Sequence, residues 1–135
     1  MGYGKKQLGR YQDMKIQTAS PEQIMIMLYD GAIRFSLQAK KKMVDKDFEG
    51  KGIFISKTQA IIDELMNSLD FSIAPDLCSN LQQLYIYINE KLTEANIKLD
   101  IEAIDEVVGL LNTLRDGWKQ ALATNASQPA KPDQK

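Results

Sequence analysis

A chain of 135 residues, 44% of them hydrophobic, is long enough to enclose one sizeable core, so we expect a single main domain. The net charge of −1 argues against a nucleic-acid partner, because such a partner requires a strongly basic face. The single cysteine excludes an internal disulfide, and the lack of a secretory signal or a long apolar run predicts a soluble, cytoplasmic protein without membrane insertion.

The first predicted helix begins at Pro21 and ends near Val44. Ser20 precedes it, and its side-chain oxygen can cap free N–H groups while Gln23 reaches back to complete a capping box. Proline suits the first helical turn because an N–H there would have no partner in the helix. Residues 1–19 hold only scattered apolar side chains, and we expect them to form a short amino-terminal strap or helix.

Three further segments carry apolar residues at helical spacing. The second helix is predicted to follow Gly50 and Gly52, the third to begin at Pro75, and the fourth to be capped by Asp100 and to reach Leu122. The apolar residues expected to face the neighbouring helices are Phe54, Ile55, Ile61, Ile62, Leu65, Met66 and Leu69 in the second, Leu77, Leu81, Leu84, Ile88, Leu92 and Ala95 in the third, and Ile104, Val107, Val108, Leu111, Leu114, Trp118 and Leu122 in the fourth.

These elements predict an all-α fold, an antiparallel up-down four-helix bundle over residues 20–123. Short connections favour antiparallel neighbours, which makes this the simplest arrangement of the four helices. Residues 124–135 are polar and contain proline, and they have too little apolar surface to offset the entropy of ordering. We therefore predict a disordered tail there.

The composition excludes most catalytic chemistry. The chain has no histidine, which removes the usual general base and the commonest nitrogen ligand for metals. One cysteine is too few for a zinc site, the apolar seams leave no di-iron ligand set, and neither a phosphate-binding glycine loop nor a dinucleotide fingerprint is present. We expect a protein that is not an enzyme and that needs no cofactor or metal.

Two features have a functional and a structural interpretation. Cys78 lies near the start of the third helix, where the helix dipole can activate a thiol, but a small packed residue at the end of the bundle is the favoured interpretation. Lys40, Lys41 and Lys42 form a short basic run, yet acidic residues follow at once. A solvated helix end is therefore favoured over a binding patch.

The first helix has apolar residues on two sides, about half a turn apart. One stripe contains Ile24, Leu28, Gly31, Phe35 and Ala39, and the other contains Ile26, Ile33, Leu37 and Val44. From this pattern we expect that a bundle core cannot cover both stripes. The spare stripe can be covered by the amino-terminal strap or a second subunit, or it can form a groove for another chain, and a client could displace the strap from that groove.

Flexible methionines and neighbouring apolar side chains suit a groove that adapts to its partner. The candidate partner-binding residues near this groove are Met25, Ile26, Tyr29, Ile33 and Leu37 in the first helix and Ile55, Ile62 and Met66 in the second. On this hypothesis a charge at Ile26 or Ile33 would weaken partner binding more than folding.

The segment from Tyr11 to Phe35 reads YQDMKIQTASPEQIMIMLYDGAIRF. It resembles the hallmark of the flagellin export chaperone family, FliS: a tyrosine, an aliphatic residue, Thr-Ala-Ser-Pro, and then Met-Leu-Tyr-Asp-Gly-Ala. The resemblance continues to about residue 122. It departs from the family at Ile73-Ala74-Pro75, where members often carry a glycine pair, so the turn between the second and third helices is expected to differ in shape.

The resemblance implies a cytoplasmic, non-catalytic four-helix chaperone. It implies binding to the disordered carboxy-terminal segment of flagellin, protection from premature polymerisation, and delivery to the flagellar type III export apparatus. It also implies that Tyr11 and Ile16 pack near the client groove. Other flagellar proteins, an export-gate component and a co-chaperone stay open as further partners, as does a monomer or weak dimer. The alternative is a self-associating structural bundle with no flagellin client.

Overall fold

The computed structural model describes residues 19–127, with side chains described as far as Thr124. Nearly all of the predicted strap, residues 1–18, and the end of the predicted tail, residues 128–135, lie outside the described residues. The described part forms four helices and no strand, which confirms the all-α prediction. The helices are α1 (Pro21–Val44), α2 (Phe48–Asn67), α3 (Pro75–Lys98) and α4 (Ile101–Ser127).

The four helices form a ring in chain order. Helix α1 packs against α2 and α4, and α3 packs against the same two helices from the other side, with α1 making the more extensive contacts. The short connections 45–47, 68–74 and 99–100 make successive helices antiparallel. The α1/α4 seam and the α2/α3 seam therefore lie on opposite sides of the bundle. No helix within residues 19–127 is long and apolar enough to cross a membrane.

The start of α1 confirms the predicted capping box. The hydroxyl of Ser20 accepts a hydrogen bond from the backbone N–H of Gln23 at 3.2 Å, and the Gln23 side chain accepts one from the N–H of Ser20 at 2.8 Å. These two bonds satisfy donors that have no partner inside the helix. The helix ends at Val44, as predicted.

Helix α2 begins earlier than predicted, at Phe48, because Asp47 is its cap. The Asp47 carboxylate accepts the backbone N–H of Gly50 at 2.9 Å, and this bond holds the pKa of that carboxyl below its usual value. A Cβ at Gly50 would lie 2.7 Å from the same carboxylate and 2.9 Å from the Lys42 side chain. Gly50 thus permits a close approach within the first turn of the helix, whereas we predicted that the helix would begin only after it.

Helix α4 confirms its predicted cap but not its predicted end. The Asp100 carboxylate accepts the N–H of Ala103 at 3.3 Å. The helix continues to Ser127, five residues beyond Leu122, so the predicted boundary between bundle and disordered tail at residue 124 falls inside it. The residues that follow Leu122 are polar but include no proline before Pro129, and polarity alone does not end a helix.

The core confirms most of the predicted seams and corrects that of α3. In α3 the residues Ile88, Leu92 and Ala95 are buried, and Leu81 and Leu84 pack against the core, as predicted, but Tyr85, which was not predicted, is fully buried, and Leu77 is exposed. The cluster of buried apolar residues comprises Tyr29, Ala32, Ile33, Ala39, Met43, Ile55, Ile62, Leu65, Tyr85, Ile88, Leu92, Ala95, Ala103, Ile104, Val107 and Leu111. Cys78 is buried at the end of the bundle, where its thiol donates to the carbonyl of Asp70 at 3.4 Å.

Tyr85 can lie in this core because its hydroxyl has a buried partner. The Oη atoms of Tyr29 and Tyr85 lie 2.5 Å apart across the centre of the bundle. Burial raises the pKa of both phenols, so both are neutral and able to hydrogen-bond at physiological pH. One buried hydrogen bond thus connects α1 with α3.

We predict that Tyr29→Phe lowers the free energy of unfolding by about 1–3 kcal/mol, because it leaves the buried Tyr85 hydroxyl without a partner. Adding Tyr85→Phe removes that unpaired hydroxyl. The double variant should therefore lose less than the sum of the two single losses in urea unfolding. Strictly additive losses would contradict the assignment of this hydrogen bond.

The connection between α3 and α4 contains a strained leucine. Leu99 adopts a left-handed backbone conformation with φ of 54°, donates its N–H to the carbonyl of Ala95, and is 46% exposed. This conformation costs an L-residue about 1–2 kcal/mol, and glycine is the usual occupant of such a helix end.

We predict that Leu99→Gly raises the free energy of unfolding by about 1 kcal/mol, since it relieves this strain. Leu99→Ala is the matched control, because it removes the same side chain beyond Cβ but keeps the strain. Urea unfolding of the two variants measures the difference. A glycine variant no more stable than the alanine variant would contradict the prediction.

Candidate partner-binding surface

The side of α1 that faces α4 is aligned by two ion pairs. The Lys40 ammonium lies 2.7 Å from the Asp105 carboxylate, and the Arg115 guanidinium lies 2.8 Å from the Asp30 carboxylate. The two pairs are ten residues apart on each antiparallel helix. They therefore fix a register in which Leu37 lies opposite Val108 and Val44 lies opposite Ile101.

The other side of α1 packs against α2. Gly31 lets Ile61 approach so closely that an added Cβ would lie 3.2 Å from its Cδ1 atom. Phe35 stacks on Phe54 with 6.1 Å between the ring centroids. The stripe that begins at Ile24 is thus the α2-facing side of the helix.

We predicted that one stripe would face the core and the other would be spare, and this prediction was wrong. Because α1 has two close neighbours, it buries an arc that is wider than a single stripe. The centre of that arc contains Ile33 and Ala39, one from each stripe. It also contains Tyr29, Ala32 and Ser36, which belong to neither stripe. Only part of the second stripe is left on the surface.

The exposed remainder forms an apolar surface along the α1/α4 seam. Leu37 and Val44 are 47% and 61% exposed, although both are aliphatic. In the register described above they lie beside Val108 and Ile101 of α4, which are half-buried. Ile26 extends the same row of aliphatic side chains toward the start of α1. We call this surface the α1/α4 face, and it consists of Ile26, Leu37 and Val44 from α1 with Ile101 and Val108 from α4.

The structure divides the predicted partner-binding residues between several locations. Four of them, Tyr29, Ile33, Ile55 and Ile62, lie in the core with 8% exposure or less, so they are not surface residues. Hydrophobic spacing identified them as apolar and helical, but it does not distinguish the side that faces the core. Of the others, Ile26 and Leu37 lie on the α1/α4 face, Met25 packs against the core, Met66 lies at the α2/α3 seam, and Tyr11 and Ile16 lie outside the described residues.

The α2/α3 seam has a different chemistry, because polar side chains cross it. The Gln59 amide donates to the Thr93 hydroxyl at 3.0 Å, and the Asn89 amide donates to the Asp63 carboxylate at 2.9 Å. Met66 lies at this seam and not beside the candidate binding residues of α1. It borders a shallow open depression together with Ile86, Asn89, Glu90 and Thr93. The sequence analysis did not identify Ile86 as an exposed apolar residue, although it is 44% exposed. The signal in the sequence was an isoleucine that does not fit the spacing of the core-facing residues of α3.

The charged side chains of the described residues pair with one another and form no metal-ligand cluster. Between residues 19 and 127, no group of cysteine and carboxylate side chains is arranged to hold a metal ion. The three lysines of the basic run pair with carboxylates instead of forming a patch, because Lys40 bonds Asp105 while Lys41 and Lys42 pair with Asp45 and Asp47.

Several known proteins are similar to this chain in sequence, and one solved structure is similar in fold. The family model described as "Flagellar protein FliS" matches residues 4–125. The flagellar secretion chaperone FliS of Escherichia coli K12 is 36% identical over 79% of both chains, and that of Bacillus subtilis 168 is 36% identical over 83% of both. The Salmonella typhimurium LT2 chaperone is 38% identical over 78% of both chains. A crystal structure of a flagellar chaperone from bacteria superposes with a TM-score of 0.74 at 24% identity, covering 90% of this chain and 99% of the other, and supports the fold.

These matches define a helical-bundle secretion chaperone of the flagellum, which is a class of binding protein and not of enzymes. The chain belongs to the FliS family. The family resemblance found in the sequence is thereby confirmed over nearly the whole length of the chain.

We predict that Ile33→Asp and Leu37→Asp differ strongly in stability although they are one helical turn apart. An unpaired carboxylate at the buried site should lower the free energy of unfolding by about 3 kcal/mol or more. The same change at the exposed site should cost about 1 kcal/mol or less. Equal losses in urea unfolding would contradict the assigned orientation of α1.

Proposed function

We propose that the chain is a cytoplasmic export chaperone that binds the disordered carboxy-terminal segment of flagellin. In this role it prevents premature polymerisation of flagellin and aids its delivery to the flagellar type III export apparatus. The observation that carries the proposal is the α1/α4 face, where Leu37 and Val44 are exposed in register with Ile101 and Val108. Membership in the FliS family supplies the class of client.

The α1/α4 face suits an amphipathic segment that becomes ordered as it binds. Such a segment can lay apolar residues along the row of aliphatic side chains, and the burial must exceed an ordering cost of about 2–5 kcal/mol. Two packed helices present the row, so the chaperone side needs little ordering of its own. A covered segment cannot make its assembly contacts with other flagellin molecules.

The charged side chains beside the face form a polar border that has no strong net charge. Lys40 pairs with Asp105 and Arg115 pairs with Asp30, so the charges beside the face already have partners. Recognition should then depend mainly on the apolar row, with the paired charges forming a polar rim. We expect only a modest dependence of client affinity on salt concentration.

The amino-terminal segment is proposed to compete with the client for this face. Tyr11 and Ile16 are its candidate contact residues, as the family resemblance implies. Further candidate partners, at the same or another surface, are an export-gate component, another flagellar protein and a co-chaperone. Self-association through the α1/α4 face is the alternative function, since a second copy would also cover the exposed leucine and valine.

We predict that Leu37→Asp weakens binding of a flagellin carboxy-terminal peptide at least tenfold, or about 1.4 kcal/mol, because it places a charge in the apolar contact. Ile86→Asp is the matched control: its side chain is similarly exposed, at 44% against 47%, but lies on the opposite side of the bundle. The control should stay within about twofold of the native affinity. Calorimetric titration measures affinity and stoichiometry together.

Two results would contradict the proposal in different ways. Equal weakening by Leu37→Asp and Ile86→Asp would place the client elsewhere on the bundle. A stable homodimer that takes up no peptide, and that Leu37→Asp dissociates, would favour the self-associating bundle instead. Sedimentation of the protein with and without peptide distinguishes the one-to-one complex from that dimer.

A further inference from the structure

A buried lysine without a carboxylate partner lies at the other side of the bundle. Lys51 is 8% exposed, and its Nζ atom donates to the backbone carbonyl of Asn96 at 2.8 Å. The ammonium also lies 5.8 Å from the ring centroid of Phe48. No carboxylate in residues 19–127 forms an ion pair with it, so two of its three donors have no protein partner there.

The helix dipoles do not compensate for this charge. Lys51 lies in the first turn of α2, where the partial positive charge of the helix end opposes an ammonium. Its Nζ atom reaches the carboxy-terminal end of α3, where the partial negative charge favours it. These two effects act in opposite directions. A mostly buried cation with one neutral acceptor is therefore left with an incompletely satisfied charge.

One exposed apolar side chain contacts this ammonium, and two more follow its Asn96 acceptor in the chain. Phe48 is 51% exposed and lies against it, and Ile97, which directly follows the Asn96 acceptor, is 75% exposed. Leu99 follows in its left-handed conformation and keeps an apolar side chain on the surface where glycine would be less strained. We call Phe48, Lys51, Ile97 and Leu99 the Lys51 patch.

We infer that the Lys51 patch is a docking site for a polypeptide segment that carries an aspartate or glutamate between apolar residues. The acidic side chain would pair with the Lys51 ammonium, and its neighbours would cover Phe48, Ile97 and Leu99. The positive charge of Lys51 determines which kind of segment can bind. A wholly apolar segment would bury the ammonium further without a counter-ion, and a basic segment would be repelled.

The Lys51 patch differs from the proposed flagellin surface in the helices that form it. It lies where α2 begins and α3 ends, whereas the α1/α4 face follows the seam of α1 and α4. The two surfaces share one end of the bundle, where Leu99 of the patch is two residues before Ile101 of the face. The inference does not rest on the proposed function, and either can fail without the other.

The test is a titration of the full chain, followed by 15N-edited NMR, with the peptide acetyl-Ala-Leu-Glu-Leu-Phe-amide and with its glutamine counterpart. We expect the glutamate peptide to bind at least tenfold more tightly and to shift the amides of Phe48, Lys51, Ile97 and Leu99. Lys51→Met should remove this preference. Lys57→Met should keep it, since Lys57 also lies near aromatic rings, 5.4 Å from those of Phe35 and Phe54, but is exposed.

Further variants keep the test decisive. Leu99→Gly is expected to fold well and to weaken the glutamate peptide at least threefold, so it serves even if Lys51→Met does not fold. Leu37→Asp should leave the preference for glutamate unchanged, while Lys51→Met should leave binding of the flagellin peptide unchanged.

Four outcomes would overturn the inference. They are the absence of binding by either peptide, equal affinity for the two peptides, amide shifts confined to the α1/α4 face, and binding of 4-phenylbutyrate as tight as that of the glutamate peptide. The last would assign the patch to a small carboxylate and not to a polypeptide.

Discussion

The architecture depends on the position of α1 between two close neighbours. Gly31 admits Ile61 on the α2 side, and the pairs Lys40 with Asp105 and Asp30 with Arg115 hold the α4 side in register. A helix with neighbours on both sides needs a wide apolar arc, which explains why its sequence is apolar around so much of its circumference. The arc extends slightly beyond what the neighbours cover, and this excess is the α1/α4 face.

Local signals in the sequence predicted the parts of the fold that local chemistry controls. The capping box at Ser20 and the cap at Asp100 were both correct, because each needs only a side chain and an N–H group three residues away. The predicted start of α2 was wrong, since the helix was expected to follow Gly50, whereas Gly50 lies in its first turn and makes room for the Asp47 cap. Whether a glycine breaks a helix or permits a contact depends on neighbours that spacing alone does not reveal.

Side-chain orientation was less predictable than helix position. The sequence could not indicate that Tyr85 would be fully buried, because the reason is a hydroxyl partner on Tyr29, distant in the chain. Ile33 was predicted to contact a partner but lies in the core, whereas Leu37, one turn later, is exposed, because the neighbours of α1 decide which side of the helix is covered. The lysine in the Lys51 patch had no sequence signal, since its burial and missing carboxylate appear only when α2 and α3 meet. The bundle thus presents two chemically different surfaces, one apolar with paired charges and one apolar around an unpaired cation.

The client is proposed to lie along the α1/α4 seam, and paramagnetic relaxation measures this location directly. A flagellin carboxy-terminal peptide that carries a nitroxide near the centre of its apolar row would be added to the 15N-labelled chain. We predict that the amide signals of Leu37 and Val108 broaden strongly while those of Ile86 and Thr93, on the opposite side, stay sharp. Broadening centred on Ile86 and Thr93, with Leu37 unaffected, would contradict it.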